Sequence, residues 1–432
     1  MHHQANRALS RRRLVLGTGL ALANVAAGGL RAQTGPAGFR ILRARPGEAL
    51  LRGEGQPRTP IWCFDDMVPG QMLRVRRGDE LRVRVFNDLP EPFALHWHGV
   101  RLPNAMDGVP FLTQPPIKPG DSFGYRFTAR DAGTFWYHPV GVGMAEPGRG
   151  LHGVLVVGES ERIEVDRDLA LVIDDWPLSL DGRIASPPQG RNGHMTVNGV
   201  PAREVAVRPN ERLRIRLINA APARSFELAF ERHAPWVMAI DGQPAEPFLA
   251  RDGRVALGPG NRIDLFIDMG LAAGTSAPIL SEGAPIAHLA YEHGDPVRAA
   301  PLPEPKPLPP NPLPERLDFR AALKLDLPLD APSRLLPEER PPLFSVRRRR
   351  IVMLGLANAG DAAQAVHLHG HHVRLLDKLD DGWKPFWLDT VPVPARETSR
   401  IAFLADNPGK WLIEWRMLNE RGPFAAAWFE VT

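Results

Sequence analysis

The chain has 432 residues, of which 44% are hydrophobic and 24% charged, and its formal net charge is +4. That length is too great for one hydrophobic core, so we expect two or three domains of a soluble protein. Acidic and basic residues are interleaved. The dense basic run at residues 345–352 fits a strand edge as well as a binding patch, so nucleic acid is not an expected partner.

Residues 1–32 resemble an export signal. Arg11, Arg12 and Arg13 precede a short, Gly/Ala-rich apolar run that ends in small residues. The arginines resemble a twin-arginine signal, and an ordinary secretory signal or an uncleaved anchor remains an alternative. Because the apolar run is too weak to span a membrane, we expect cleavage near Ala32 and a periplasmic protein without a membrane span.

One sequence signature occurs three times. It consists of two segments in which apolar residues alternate with other residues, separated by a turn, and each copy leads into an asparagine. The copies are residues 69–89, 203–221 and 343–360, with the asparagines Asn87, Asn219 and Asn358. Apolar residues at every second position, interrupted by turn residues, predict a pair of strands in each copy. A spacing of roughly 130 to 140 residues indicates three homologous β-domains rather than a solenoid of short repeats.

The copies predict an all-β protein of sandwich domains at residues 39–161, 162–298 and 317–432. Residues 299–316 are rich in proline and predict an extended linker before the last domain. Helical patterns are few, and the best of them is a short one at residues 319–327. Cys63 is the single cysteine, which excludes an intramolecular disulfide and indicates a buried structural thiol.

Five histidines form a pattern that is typical of a metal site. His96 and His98 lie two residues apart at the end of the first strand cluster, and His138 ends another strand of the same domain. His367 and His369 repeat the His-x-His spacing in the third domain. Alternate residues of a strand face the same side, so each pair can point into one cavity. Neutral imidazole favours copper and zinc among the common metals.

The chain resembles the multicopper oxidases, the family of laccases and bacterial copper-efflux oxidases. The resemblance covers nearly all of the mature chain and rests on segments such as "FALHWHGVRLPNAMDGVP", "GTFWYHP", "LGPGNRIDLFID", "HLHGHHVRLLD" and "NPGKWLIEW". It implies three cupredoxin-like Greek-key β-sandwich domains. It also implies a type 1 copper that takes electrons from substrate and a trinuclear copper cluster that reduces oxygen.

By this resemblance, the ligands of the trinuclear cluster are only partly present. His96 and His367 match the type 2 copper ligands, and His98, His138 and His369 match three of the six type 3 ligands. The other three type 3 positions hold Val140, Glu414 and Arg416. We therefore expect one copper ion, or at most two, bound by the five histidines.

The type 1 copper site is expected to be absent. The resemblance places its two histidines at Gln364 and Glu420, its cysteine at Trp415, and its axial methionine near Ala425. Blue copper needs a thiolate with two imidazoles, which these residues cannot supply. Any oxidoreductase activity is therefore expected to be atypical, laccase-type activity is expected to be absent, and we name no catalytic residue.

Glu414 and Arg416 are two residues apart on a predicted strand, so both should point at the former cluster. Either they form an ion pair that satisfies itself without metal, with the guanidinium repelling a cation, or Glu414 is itself a ligand. Asp107 matches a carboxylate of the family near the type 2 copper, and a turn-capping role before Gly108 is an equal alternative. His371 and His372 are expected to be exposed loop residues.

Three functions remain open from the sequence. The first is a periplasmic copper-binding protein with the partial histidine site. The second is a copper-free scaffold of the same fold that acts in cell division or envelope stress, which resembles an exported cell-division relative of the family. The third is a subunit that depends on an unknown protein partner for electron entry.

Overall fold

Strands make up almost all of the regular structure. The computed structural model describes residues 38–140, 148–185, 193–329, 339–376, 383–418 and 425–432. They form 29 strands in six sheets, with three short 3₁₀ helices, so the prediction of an all-β fold is confirmed. None of the helices described has the length and apolar character needed to cross a bilayer. The signal-like residues 1–32 lie outside the described residues.

The first two sheets use strands from residues 40–158. Their orders are β2-β1-β4-β6 and β3-β8-β7-β5, with a 3₁₀ helix at Asn104–Met106 between β5 and β6. In β4, the side chains of Leu81, Val83 and Val85 are buried and those between them are more exposed, as predicted from the alternation. The strands are β1 (Arg40–Ala49), β2 (Thr59–Phe64), β3 (Gly70–Arg76), β4 (Glu80–Asn87), β5 (Leu95–His98), β6 (Ser122–Thr128), β7 (Gly133–Pro139) and β8 (Gly153–Gly158).

The second pair of sheets uses strands from residues 167–291. Their orders are β10-β9-β12-β17-β14-β15 and β11-β19-β18-β13-β16, with a 3₁₀ helix at Arg251–Gly253. These two sheets enclose a hydrophobic core of their own. The strands are β9 (Arg167–Trp176), β10 (His194–Val197), β11 (Arg203–Val207), β12 (Arg212–Asn219), β13 (Phe226–Phe230), β14 (Trp236–Ile240), β15 (Gln243–Leu249), β16 (Arg254–Leu257), β17 (Arg262–Asp268), β18 (Ser276–Ser281) and β19 (Ala284–Tyr291).

The third pair of sheets uses strands from residues 323–431, in the orders β20-β22-β27-β24-β25 and β21-β29-β28-β23-β26. The three pairs thus draw their strands from the three predicted ranges in turn, as three cupredoxin-like sandwiches. The strands are β20 (Leu323–Pro328), β21 (Ser345–Val346), β22 (Arg350–Ala357), β23 (Gln364–Leu368), β24 (Val373–Leu376), β25 (Trp383–Leu388), β26 (Thr390–Val393), β27 (Thr398–Ala405), β28 (Gly409–Met417) and β29 (Ala425–Val431).

The helix predicted at residues 319–327 is wrong for most of its length. A single 3₁₀ turn spans Phe319–Ala321, and the side chain of Asp318 accepts a hydrogen bond from the Arg320 N–H at its start. The chain then forms β20, which pairs in parallel with β22. The leucines of this segment recur at every second position, the period of a strand, and pairing with a buried neighbour strand outweighs its weak helix propensity.

The three copies of the signature share one structural device. In each, the two strands belong to different sheets of a pair, and the asparagine at or just after the end of the second strand is buried. Its side-chain oxygen accepts the N–H of the residue two positions on, at 2.9–3.0 Å. Its amide donates to a carbonyl of the loop that follows and to a second carbonyl farther along the chain. The first and third of these loops lead to the two His-x-His segments, so the device fixes where those segments begin.

Two features connect the three pairs of sheets with one another. One buried apolar cluster contains side chains from both the first and third pairs of sheets, among them Trp97 and Trp411. The Pro-rich residues 299–316 are extended and hydrogen-bonded to the first two pairs. In that segment, Asn311 bonds the backbone of Ala132 and the side chain of Gln243. The predicted linker is therefore fixed along the surface of these sheets rather than a free connector.

We expect Asn219→Ala to lower the free energy of unfolding by on the order of 3 kcal/mol, because it leaves buried backbone groups without partners. The side chain bonds the carbonyls of Arg224 and Leu257 and the N–H of Ala221 at 2.8–2.9 Å. Chemical denaturation measures the effect, with the exposed Lys306→Ala in the linker as control. Equal midpoints for both variants would contradict the role of the asparagine.

Candidate metal centre

The five predicted histidines lie at the ends of three strands and at one position just beyond. β5 carries His96 and His98, and its pairing with β7 sets His96 opposite His138. β23 carries His367, and His369 follows that strand. All five side chains are at most 8% exposed. The short period of the strands therefore brings both His-x-His pairs into the interior, as predicted.

The structure brings all five imidazoles together. The Nε2 atoms of His96 and His367 are 3.2 Å apart, although 271 positions separate the two residues in the chain. Nδ1 of His98 lies 3.1 Å from Nε2 of His138. The rings of His98 and His367 stack with centroids 3.6 Å apart, and those of His96 and His369 are 3.9 Å apart. The predicted contact between the first-domain and third-domain segments is thus confirmed.

Each imidazole has one ring nitrogen held by an oxygen outside the cluster. The contacts are His96 Nδ1 to the carbonyl of Asp107 at 2.8 Å, His138 Nδ1 to the carbonyl of Pro139 at 2.9 Å, His367 Nδ1 to the carbonyl of Asp389 at 3.0 Å, His369 Nδ1 to Oδ2 of Asp107 at 2.9 Å, and His98 Nε2 to Oγ1 of Thr390 at 2.9 Å. Carbonyl and carboxylate oxygens only accept hydrogen bonds, so the nitrogens that face them carry the hydrogen.

For His98, the ring hydrogen can be assigned to the outer nitrogen, Nε2, by a further argument. The hydroxyl of Thr390 lies 2.8 Å from Oδ1 of Asp389, to which it donates its hydrogen. Its oxygen then accepts from Nε2 of His98, which also lies 3.3 Å from the Asp389 carboxylate. In four of the five histidines the remaining nitrogen, which carries a lone pair in the neutral ring, faces a nitrogen of another ring: His96 faces His367, and His98 faces His138. Outer hydrogen bonds of this kind orient the histidine ligands of metal sites.

A buried ion pair supports the centre from the second pair of sheets. Arg262, at the start of β17, donates to both carboxylate oxygens of Asp389 at 2.8 and 2.6 Å. Burial alone would raise the pKa of Asp389, but Arg262 and the neighbouring histidines hold it well below its usual range. Asp389 is therefore a permanent acceptor beside His98 and His367.

Burial lowers the pKa of His98 and His138 well below the usual range, and that of His369 to about 4. His96 differs, because the Asp107 carboxylate outweighs the effect of burial and raises its pKa. Asp107 is itself fully buried, and although burial opposes its ionisation, His369 and His96 hold its pKa far below the usual range. Its contacts go beyond a turn cap, because the carboxylate bonds His369 and the carbonyl bonds His96.

Of the three positions without histidine, two lie beside the cluster and one is in an apolar contact. Val140 packs against Val109 and Leu412. Glu414 is 4% exposed, and one of its oxygens lies 3.3 Å from Nη2 of Arg416. Both charged side chains line a cavity of about 60 Å³ together with His98, His138 and His367. The predicted orientation of Glu414 and Arg416 towards the cluster is confirmed.

The positions that the resemblance implies for a type 1 site have other roles. Gln364 donates to the carbonyl of Leu329 at 3.1 Å and to Oδ1 of Asn358 at 3.0 Å. Trp415 belongs to the apolar cluster shared by the first and third pairs of sheets. Cys63 is a buried free thiol on β2, as predicted. Glu420 lies outside the described residues, and Ala425 begins β29.

The expectation that His371 and His372 are exposed is wrong, since they are 2% and 3% exposed. The ring of His371 packs against Trp411, with centroids 5.5 Å apart, and its Nδ1 lies 3.2 Å from the carbonyl of His369. His372 reaches the side chain of Gln243 at 3.2 Å. Their burial follows from the interface on which this loop lies, which the local sequence does not reveal.

Sequence reasoning missed Arg262, Asp389 and Thr390. The motif "LGPGNRIDLF" contains Arg262, and "WLDTVPV" contains the other two, but neither motif contains a histidine. The only signal was a charged residue beside an otherwise apolar strand pattern. Their link to the histidines exists only in the folded chain, where β26 lies beside β23 and Thr390 faces His367.

Comparison with known proteins identifies the family. The multicopper oxidase family matches at residues 48–162, 179–274 and 312–419. The multicopper oxidase MmcO of Mycobacterium tuberculosis is 29% identical over 425 residues, which cover 83% of this chain and 81% of that protein. Laccase-1 of Botryotinia fuckeliana is 32% identical over 239 residues, covering 52% of this chain and 42% of that protein.

The solved structures agree. A multicopper oxidase from Pseudomonas thermotolerans has a TM-score of 0.81 and 32% identity, covering 91% of this chain and 98% of that one. Lac15 from a marine microbial metagenome has a TM-score of 0.77 and 33% identity, covering 90% and 99%. The chain, with a histidine cluster that could bind metal, therefore belongs to the multicopper oxidase family.

Proposed function

We propose that the protein is a periplasmic copper-binding member of its family that lacks the type 1 copper. His96, His98, His138, His367 and His369 hold one copper ion, or at most two. The observation that carries this proposal is the orientation of the five rings. Every ring has its outer nitrogen held by an acceptor, and the inner nitrogens of four rings face each other in two pairs, His96 with His367 and His98 with His138.

The distances between the inner nitrogens fit coordination of a common ion. Two imidazoles that bind one ion at about 2.05 Å, with about 90 to 110° between the bonds, have nitrogens about 2.9 to 3.3 Å apart. The separations of 3.2 Å for His96–His367 and 3.1 Å for His98–His138 lie in this range. A proton on His96 can bridge the first pair. The second pair consists of two neutral rings whose lone pairs face each other, an arrangement that a cation stabilises.

The second part of the proposal is that the chain lacks the type 1 copper site, which is the family's route for electrons from substrate. Gln364 and Trp415 stand where the resemblance implies a histidine and the thiolate of the type 1 site, and the hydrogen bonds of Gln364 are structural. Bound copper supplies Lewis acidity and one-electron redox chemistry in principle. In this chain the residues around it bind and orient the ion and limit the access of water. Because the type 1 site that would take electrons from substrate is lacking, any oxidoreductase activity is atypical.

A copper-free scaffold is the second candidate, and the pair of Glu414 and Arg416 favours it. These two opposite charges occupy positions of two imidazoles and contact each other at 3.3 Å. An electron-accepting subunit that depends on a partner is compatible with the same geometry. The signal-like residues 1–32 support export in each case, and no protein partner is identified.

We expect the purified mature protein to bind one or two Cu(II) ions per chain, and His96→Ala/His367→Ala to lose at least one of them. Removal of both inner nitrogens eliminates one coordinating pair. Equilibrium dialysis with elemental analysis measures the stoichiometry, and His293→Ala, which changes an exposed histidine, is the control. A wild type that binds no copper would favour the scaffold.

The Cu(II)-loaded protein should show weak visible absorption and no intense blue band, because the chain cannot place a thiolate with two imidazoles around one ion. Oxidation of phenols in air should remain at the background rate. Absorption and electron paramagnetic resonance spectra are the measurements. An intense blue colour, or turnover like that of a laccase, would show that the type 1 positions are assigned wrongly.

Thr390→Val should weaken Cu(II) binding by about 10- to 100-fold, the usual effect of losing an outer hydrogen bond to a ligand. The hydroxyl lies 2.9 Å from His98 and 3.2 Å from His367, and valine keeps its shape without the oxygen. Competition with a chelator measures the affinity. Thr59→Val, which removes a buried hydroxyl that donates to the carbonyl of Gly182 and contacts none of the five histidines, is the control. Equal affinity in both variants would exclude an orienting role for Thr390.

A further inference from the structure

We propose that Glu414 is a metal ligand, which makes the vacated side of the centre a mixed carboxylate–imidazole site for a divalent cation. This inference rests on the proposed function, because it presumes that the histidines bind metal. It differs from what the family resemblance implies, which is an imidazole at this position. Three observations support it.

The first observation is a buried carboxylate oxygen without a partner. Glu414 lies on β28 directly opposite His367 on β23, so both side chains are on the same face of the sheet. Only 4% of Glu414 is exposed, and its Oε2 has no hydrogen-bond partner among the described residues. A buried carboxylate oxygen without a partner is costly, so such an atom beside a cluster of imidazoles points to a cation.

The second observation is an imidazole nitrogen in the same condition. Nε2 of His369 is buried and has no hydrogen-bond partner within the part of the chain that the structure describes. The other nitrogen of this ring donates to Oδ2 of Asp107 at 2.9 Å, which fixes the hydrogen on Nδ1 and leaves the lone pair on Nε2. A carboxylate behind a histidine is the arrangement that orients imidazole ligands in metal sites.

The third observation is that Arg416 does not satisfy Glu414. A single contact of 3.3 Å joins them, to Oε1. The guanidinium also donates to the carbonyl of Pro222 at 3.1 Å, and 19% of its side chain is exposed, whereas that of Glu414 is 5% exposed. Arg416 is thus partly solvated, and its guanidinium is shared between Glu414 and the carbonyl of Pro222. Its charge weakens cation binding without using up the inner oxygen.

The donor set indicates which ions this side prefers. Imidazole suits copper and zinc, whereas carboxylate oxygen suits harder cations, and the soft Cu(I) ion prefers sulfur ligands. A site of one carboxylate and imidazoles therefore favours Cu(II) and Zn(II) over Cu(I). It resembles a binding site for divalent cations more than the electron-cycling cluster that the family resemblance implies.

The test compares E414Q with R416Q in the full mature chain, using Cu(II) and Zn(II) separately as probes. Glutamine keeps the volume of Glu414 and removes its charge, and R416Q breaks the same ion pair but keeps the carboxylate. E414Q should weaken binding of both ions at least about tenfold. It should also change the Cu(II) electron paramagnetic resonance spectrum through loss of an oxygen ligand. R416Q should bind as tightly as wild type or more tightly.

Equal losses in E414Q and R416Q, with unchanged spectra, would show that Glu414 is only the ion-pair partner of Arg416 and would overturn the inference. Unchanged affinity in E414Q would overturn it as well, while leaving copper binding by the histidines intact. A wild type that binds neither ion would overturn the proposed function itself. If E414Q does not fold, E414D keeps the charge on a shorter side chain and should show a smaller loss than E414A.

Discussion

The buried ion pair between Arg262 and Asp389 is the interaction on which the centre depends. Both side chains are at most 1% exposed, and two short hydrogen bonds join them. Removing one partner of such a pair leaves a buried charge without compensation, at a cost of about 3–5 kcal/mol. Because Asp389 accepts from Thr390 and lies beside His98 and His367, the pair transmits the position of the second pair of sheets to histidines of the first and third.

The ion pair also explains a glycine of the "HWHG" segment. Gly99 has φ of +82°, and a Cβ there would lie 2.2 Å from Nη2 of Arg262 and 2.4 Å from Oδ2 of Asp389. The glycine of "HLHG" has a similar reason, because a Cβ on Gly370 would lie 2.2 Å from the ring of Trp411. Both glycines allow the chain to turn immediately after a ligand-bearing strand without displacing the groups that support it.

The features that the sequence predicted are those that repeat within a few residues. The strand pairs of the three copies, the alternating burial over β4, and the His-x-His spacing all depend on the short period of a strand. Arg262 and Asp389 are separated by 127 positions and have no local pattern that connects them. The burial of His371 likewise depends on neighbours that only the folded chain supplies. Local spacing thus predicts the ligand candidates, whereas the groups that orient them arise from tertiary contacts.

The closeness of His96 and His367 has a consequence for the stability of the whole chain. A cation held by both closes a loop of 271 residues, and such a cross-link restricts the unfolded chain far more than the folded one. For a covalent bond this entropic effect would be about 6 kcal/mol by the loop-closure relation, which is an upper limit for a reversible coordinate bond. With Cys63 as its one cysteine, the chain cannot form a disulfide within itself. A metal ion coordinated by the first and third domains would then act as a reversible cross-link, which forms or is lost according to the metal supply.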